Sequence, residues 1–206
     1  MLIARWQQLM TSFGLHENKA TYQSLMSAYA EGHRKYHDVS HLQAVLSCLD
    51  KVEFLAHRKA EIELALWFHD AIYEPFSASN ESDSAEWARD FLKKNHVSEP
   101  VQEKVSELIM ATSHAHTPNS DDEKLIVDID LEILGQPVEI YRKYQSGVRI
   151  EYEKVPMTVY AKKRAEVLNG FLNRERLYFY DYFYEAYDGR ARINLCRELK
   201  YIQGDE

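Results

Sequence analysis

Cysteine is nearly absent: Cys48 and Cys196 are the two in 206 residues, far apart and without a CxxC pairing. A cysteine-rich zinc module is thereby excluded, and nothing suggests a disulfide framework. No apolar run approaches the roughly 18–20 residues that a membrane helix requires. The opening "MLIARWQQLM" lacks a long apolar core followed by small residues, so no secretory signal is read and the expected compartment is the cytoplasm. A basic surplus is missing too. The net charge of −8 argues against general nucleic-acid binding, although it leaves room for a local basic pocket. Neither a Walker loop nor GxGxxG occurs, so kinase and dinucleotide-oxidoreductase readings have no support. "HENKA", from His16, begins like the zinc-protease HExxH but lacks the second histidine.

Glycine (7) and proline (5) are also scarce, and strand-like alternation is rare. What the chain has instead is apolar residues recurring at three and four, the helical period. The spacing predicts helices over 2–13, 18–30, 39–56, 59–72, 83–95, 98–113, 124–134, 137–150, 157–173, 176–186 and 190–202. The breaks "EPFSASNES" and "HTPNSDD" hold residues typical of loops and caps. With 45% hydrophobic and 28% charged residues, no repeat and no composition shift, the expectation is one all-α domain over residues 1–206.

Nine histidines supply the chemistry. In "ELALWFHDAIY", Ile62, Ala65, Leu66 and His69 follow i, i+3, i+4, i+7, which puts His69 on a buried stripe with Asp70 beside it. His41 shares the apolar face of Val45, Cys48 and Val52. His33, His37 and His41 lie four apart, but a turn before residue 39 can interrupt that face. In "LIVDIDLEILG" the alternation of Val127, Ile129 and Leu131 with acids would suit a half-exposed strand. Read as a helix ended by Gly135, the segment places Asp130 on the apolar stripe with Asp128 turned aside, and in a helical chain the helix is preferred. A lone buried histidine is most simply a hydrogen-bonded core residue. His41, His69, Asp70 and Asp130 together form an N/O donor set suited to Mn²⁺, Fe²⁺, Co²⁺, Ni²⁺ or Zn²⁺.

The order His41, then the adjacent pair His69-Asp70, then Asp130 resembles the HD-domain superfamily of metal-dependent phosphohydrolases. The phrases "YHDVSHL", "WFHDAIY", "NESDSA", "ATSHAH", "DIDLEILG" and "RIEYEKV" resemble one branch of it, the small stand-alone predicted HD phosphohydrolases. The resemblance runs from about residue 30 to 200. It implies an all-α fold with a divalent metal ion (Mg²⁺ joining the list) held between helices, and hydrolysis of a phosphoester or phosphoanhydride. The expected partner is a small phosphorylated substrate, a nucleotide first among them, with no membrane; a homodimer is compatible with this.

Such chemistry needs a proton-transfer group and cations for phosphate. Glu81, near a helix start, is the candidate acid or base, with a capping role as its plain alternative. Asp70 is a second candidate base. His116 aligns with Ile109 and Thr112 if the preceding helix continues, and then faces substrate or a second metal; capping explains it equally well. His37 is either a substrate contact or a surface residue, as His16, His33, His57 and His96 are read to be. Arg149 and Arg164 are candidate phosphate clamps, or members of ordinary ion pairs with a nearby Glu. The aromatic stretch "RLYFYDYFYEAY" reads as core or dimer contact before it reads as a nucleobase platform. A non-catalytic nucleotide-sensing or protein-interaction module on the same scaffold is the competing reading.

Overall fold

The computed structural model describes residues 2–204 and is all-helical, with no strand among them. The chain divides into two compact units, Met1–Ile129 and Asp130–Glu206.

The first unit carries α1 (Leu2–Ser12), α2 (Lys19–Tyr29), α3 (Val39–Val52) with a 3₁₀ turn Glu53–Leu55, α4 (Lys59–Phe68), α5 (Asn80–Lys94), α6 (Glu99–Ala111) and α7 (Asp121–Asp130), whose last residue crosses the unit boundary. Every residue from Glu61 to Phe68 of α4 is buried. A helix apolar on all sides belongs inside a bundle, surrounded by others. Trp67 meets Trp6 of α1 edge-to-face at 5.3 Å, and Phe68 meets Trp87 and Phe91 of α5, each at 5.7 Å. The two acids on this helix are neutralised in place. Glu63 takes Arg5 Nε at 2.8 Å, while Arg5 also reaches Asp50 of α3, and Glu61 takes Arg58.

Where helices stop differs from the periodicity in two places that matter. The helix expected over 59–72 ends at Phe68, so His69 is its C-cap and Asp70 lies in the following turn. The helix expected from 83 begins at Asn80, because the Asn80 side chain closes the preceding loop. Its Oδ1 accepts Glu74 N–H at 2.9 Å and its Nδ2 donates to the Glu74 carbonyl at 3.0 Å. Ser84 then ties α5 to the turn after Asp70, its hydroxyl accepting Ile72 N–H at 3.0 Å.

The second unit begins with a 3₁₀ turn, Leu131–Gly135, followed by α8 (Val138–Glu151) and α9 (Met157–Leu172). A short α10 (Asp181–Phe183) then passes through a π-helical turn, Tyr184–Asp188, into α11 (Gly189–Gln203). Residues 176–180, expected to be helical, are not. Tyr178 and Phe183 of the aromatic stretch are fully buried and stack on each other at 6.1 Å, which makes them core. A buried polar network holds α8, α9 and α11 together: Glu198 accepts Arg164 Nε at 2.7 Å and the Tyr141 hydroxyl, and Arg164 also donates to Tyr144. Asn194 of α11 donates to the carbonyls of Leu134 and Gln136, both at 2.9 Å.

Gly135 marks the tightest approach. A Cβ there would lie 2.4 Å from Tyr187 Cβ and 2.9 Å from the Tyr187 backbone, which cannot swing away as a flexible side chain would. Gly135→Ala is expected to cost about 3 kcal/mol, the upper end for overpacking. A urea or thermal unfolding curve indistinguishable from that of the parent would refute this close fit.

Candidate metal centre

His41 stands in the first turn of α3, whose start is capped by Asp38 accepting Ser40 N–H at 2.7 Å. His69 closes α4, and Asp130 closes α7. Their ligand atoms lie within 4.8 Å of one another and form a group able to hold a metal ion. Both imidazoles are buried and Asp130 is half-buried, so the group opens on the carboxylate side. Two of the three residues sit at helix C-termini, where the dipole favours positive charge.

The donors suit a cation. His69 Nδ1 is 2.9 Å from the Leu66 carbonyl, so its N–H donates there, and in the neutral ring the lone pair lies on Nε2. That Nε2 faces His41 Nε2 at 3.0 Å. Two ligands about 2.1 Å from one ion and about 90° apart would be separated by about 3.0 Å. Asp70 Oδ2 completes the cluster, 3.2 Å from His69 Nε2 and 3.4 Å from His41 Nε2. Burial alone would raise the Asp70 carboxyl, but the adjoining His69 and His41 imidazoles outweigh it and hold it well below the usual carboxylate range.

Asp128, expected to turn aside from the core, is instead fully buried, because α7 is enclosed on all sides from Leu125 to Ile129. The group therefore contains Asp130, while Asp128 is packed within the helix bundle. The start of α7 is fixed by Asp122, which accepts His57 N–H at 2.9 Å, and by Glu123, which takes Lys104 of α6 at 3.2 Å.

The other residues singled out in the sequence divide. His37 lies beside the cluster: its ring is 5.9 Å from that of His41 and stacks on Tyr73 at 4.2 Å. The helical face shared by His33, His37 and His41 does not exist, since residues 30–38 form turns. Glu81 is half-buried in the first turn of α5, three residues before the Ser84 anchor. His116 does not continue the line of Ile109 and Thr112, because α6 stops at Ala111; the residue is exposed in a bend. Neither arginine is available as a phosphate clamp. Arg149 donates to the carbonyls of Tyr152 and Val155, at and just beyond the end of α8. Arg164 is buried against Glu198, and burial would lower its pKa, but the surrounding Tyr144 and Glu198 oxygens raise it well above its ordinary value.

One residue that matters here has no pattern in the sequence. Arg34 is 4% exposed, and its guanidinium donates to the carbonyls of His37 (3.1 Å), Asp70 (2.6 Å) and Ala71 (3.2 Å), with Nε on Glu31 at 3.0 Å. The rings of Tyr29 and Tyr73 flank it, each 5.4 Å away. It thus fastens the His37 turn to the Asp70 turn. Its only sequence signal is its place inside "GHRKYHD".

Comparison of the chain with family models, curated proteins and solved structures gives no match.

If the cluster holds an ion, purified protein is expected to bind Mn²⁺ or Co²⁺ stoichiometrically, and His69→Ala and Asp130→Asn to lose it, as read by elemental analysis. Full occupancy in both variants would show that these residues do not form the site. Arg34→Gln leaves every proposed ligand in place but unties the two turns. Its metal affinity, measured by calorimetric titration, is expected to fall about 10- to 100-fold, the usual cost of losing outer support for ligands, with helical circular dichroism retained.

Proposed function

We propose that this protein is a metal-dependent phosphohydrolase of HD type, acting on a small phosphorylated metabolite, with nucleotides the first class to test. The observation that carries the reading is the convergence of His41, His69 and Asp130, with the Asp70 carboxylate against both imidazoles. Two buried histidines that face each other Nε2 to Nε2 beside carboxylates are poorly explained as core packing. Their lone pairs and the carboxylate charge suit a cation.

His41, His69 and Asp130 would hold the ion, with Asp70 as the fourth donor. A divalent ion in such a site supplies Lewis acidity, lowering the pKa of water and offsetting phosphoryl charge. The chain's own groups do the rest. Asp70 and Glu81 are the carboxylates proposed to accept a proton from the attacking water. Glu81 rests in the first turn of α5. Asn80 and Ser84 fix this turn on either side of it. With Arg149 and Arg164 engaged elsewhere, His37, beside the cluster, is the group proposed to meet phosphate. Its stacking on Tyr73 holds the ring in place beforehand, so little ordering is lost when substrate binds.

A phosphate-release screen over nucleotides and sugar phosphates tests this with the metal-loaded protein. Release from at least one compound is expected, abolished by chelator and restored by Mn²⁺ or Co²⁺. Glu81→Gln should lower turnover by roughly 10²- to 10⁴-fold with the metal retained; unchanged turnover would reduce Glu81 to a first-turn acid and leave Asp70 as the base. A fully metal-loaded protein that releases phosphate from nothing in a broad screen would favour the sensing module instead.

A further inference from the structure

We infer that the second unit has a binding site of its own, for a small organic anion with an apolar body, in the cavity between α8, α9 and α11. The cavity measures about 550 Å³, and none of His41, His69, Asp70 or Asp130 lines it. Ligand sites generally run from about 300 to 1,000 Å³. Three observations set the chemistry of its occupant.

The first is charge. Arg142, Arg149 and Arg197 all line the cavity, and the one carboxylate among its walls is Glu198. That carboxylate is already taken by Arg164 and the Tyr141 hydroxyl on its inner side. Arg142 and Arg197 are exposed and enter no ion pair among the described residues. In a chain of net charge −8, this wall stands out as cationic, and guanidinium forks match the oxygens of a carboxylate, sulfonate or phosphate.

The second is an unmet hydroxyl. Tyr160 lines the cavity and is 7% exposed, and its hydroxyl is buried with no hydrogen-bond partner. Burial pushes its pKa up to about 12, so it stays a protonated donor. Buried polar groups are nearly always paired, and an orphan marks a place for a missing acceptor. Arg149 serves as a positioning residue: its guanidinium is spent on the carbonyls of Tyr152 and Val155 and covers the Tyr160 ring at 4.7 Å, holding that ring still.

The third is apolar surface. Ile150, Met157 and Tyr201 line the same cavity while 47%, 54% and 61% exposed. A ligand body that covers them gains the ordinary free energy of apolar burial. Anion, acceptor and apolar body thus belong to one molecule, an aromatic or aliphatic acid or phosphate ester.

Two dyes test this on the full chain: 1-anilinonaphthalene-8-sulfonate, which has an anion on an aromatic body, and N-phenyl-1-naphthylamine, its neutral counterpart. Saturable binding of one sulfonate dye per chain is expected. The double variant Arg142→Gln/Arg197→Gln should weaken it about tenfold or more, equivalent to 1.4 kcal/mol, and leave the neutral dye unaffected. The same changes at Arg89 and Lys94 on α5 should do nothing. Tyr160→Phe should weaken the sulfonate dye several-fold while the unfolding midpoint holds or rises, since an orphan hydroxyl is removed. The site is refuted if the sulfonate dye does not saturate, if the arginine variant binds it as well as the parent, or if both dyes weaken together. A Tyr160→Phe protein that loses stability but keeps dye affinity would likewise refute it.

Discussion

A guanidinium can be buried only where its donors all find acceptors, because a charge taken from water without partners costs several kcal/mol. Arg34 has an acceptor for each of its three nitrogens, Glu31 and carbonyls from two separate turns, and both turns carry candidate site residues. The carbonyls of Asp70 and Ala71 are open to Arg34 because α4 has ended. His69 is thereby a helix cap, with its Nε2 directed at His41 rather than into the packing around Trp67 and Phe68.

The second unit solves a similar problem with an acid at the centre. Glu198 accepts from Arg164 and Tyr141, and Arg164 extends the network to Tyr144. Burial and the Glu198 carboxylate push the Tyr141 pKa upward, so the phenol remains a donor. Tyr144 is likewise raised, chiefly by burial, and the Asp130 carboxylate contributes to that field. A polar network this enclosed tolerates loss of one member poorly, because the groups left behind keep their desolvation cost.

Helical periodicity was enough to read the all-α fold, since apolar stripes at three and four are a local property of the sequence. It also singled out His41, His69 and Asp130, because each rides a stripe. Helix ends were harder to read where the partners lie far off in the chain: the turn after α4 is held by Arg34, 36 residues before Asp70. The start of α5 turns on a side chain closing a loop onto Glu74, six residues back. Arg149 and Arg164 could be read as phosphate clamps or as partners of a nearby Glu; Arg164 is such a partner, and its carboxylate lies 34 residues downstream. Asp128 looked lateral because a single helix shows its own stripe and not how completely its neighbours enclose it.

The π-helical turn Tyr184–Asp188 accommodates one residue more than an α-helix would over the same rise. At its end, Asp188 is set to accept Leu177 N–H at 2.8 Å and to pair with Arg192 at 2.7 Å. Upstream, Phe183 is turned onto Tyr178. Removing one residue would let the helix run on without interruption and rotate Phe183 by about 100° relative to Asp188. Here the number of residues encodes the fold as much as their identity does: the segment should accept no change of length.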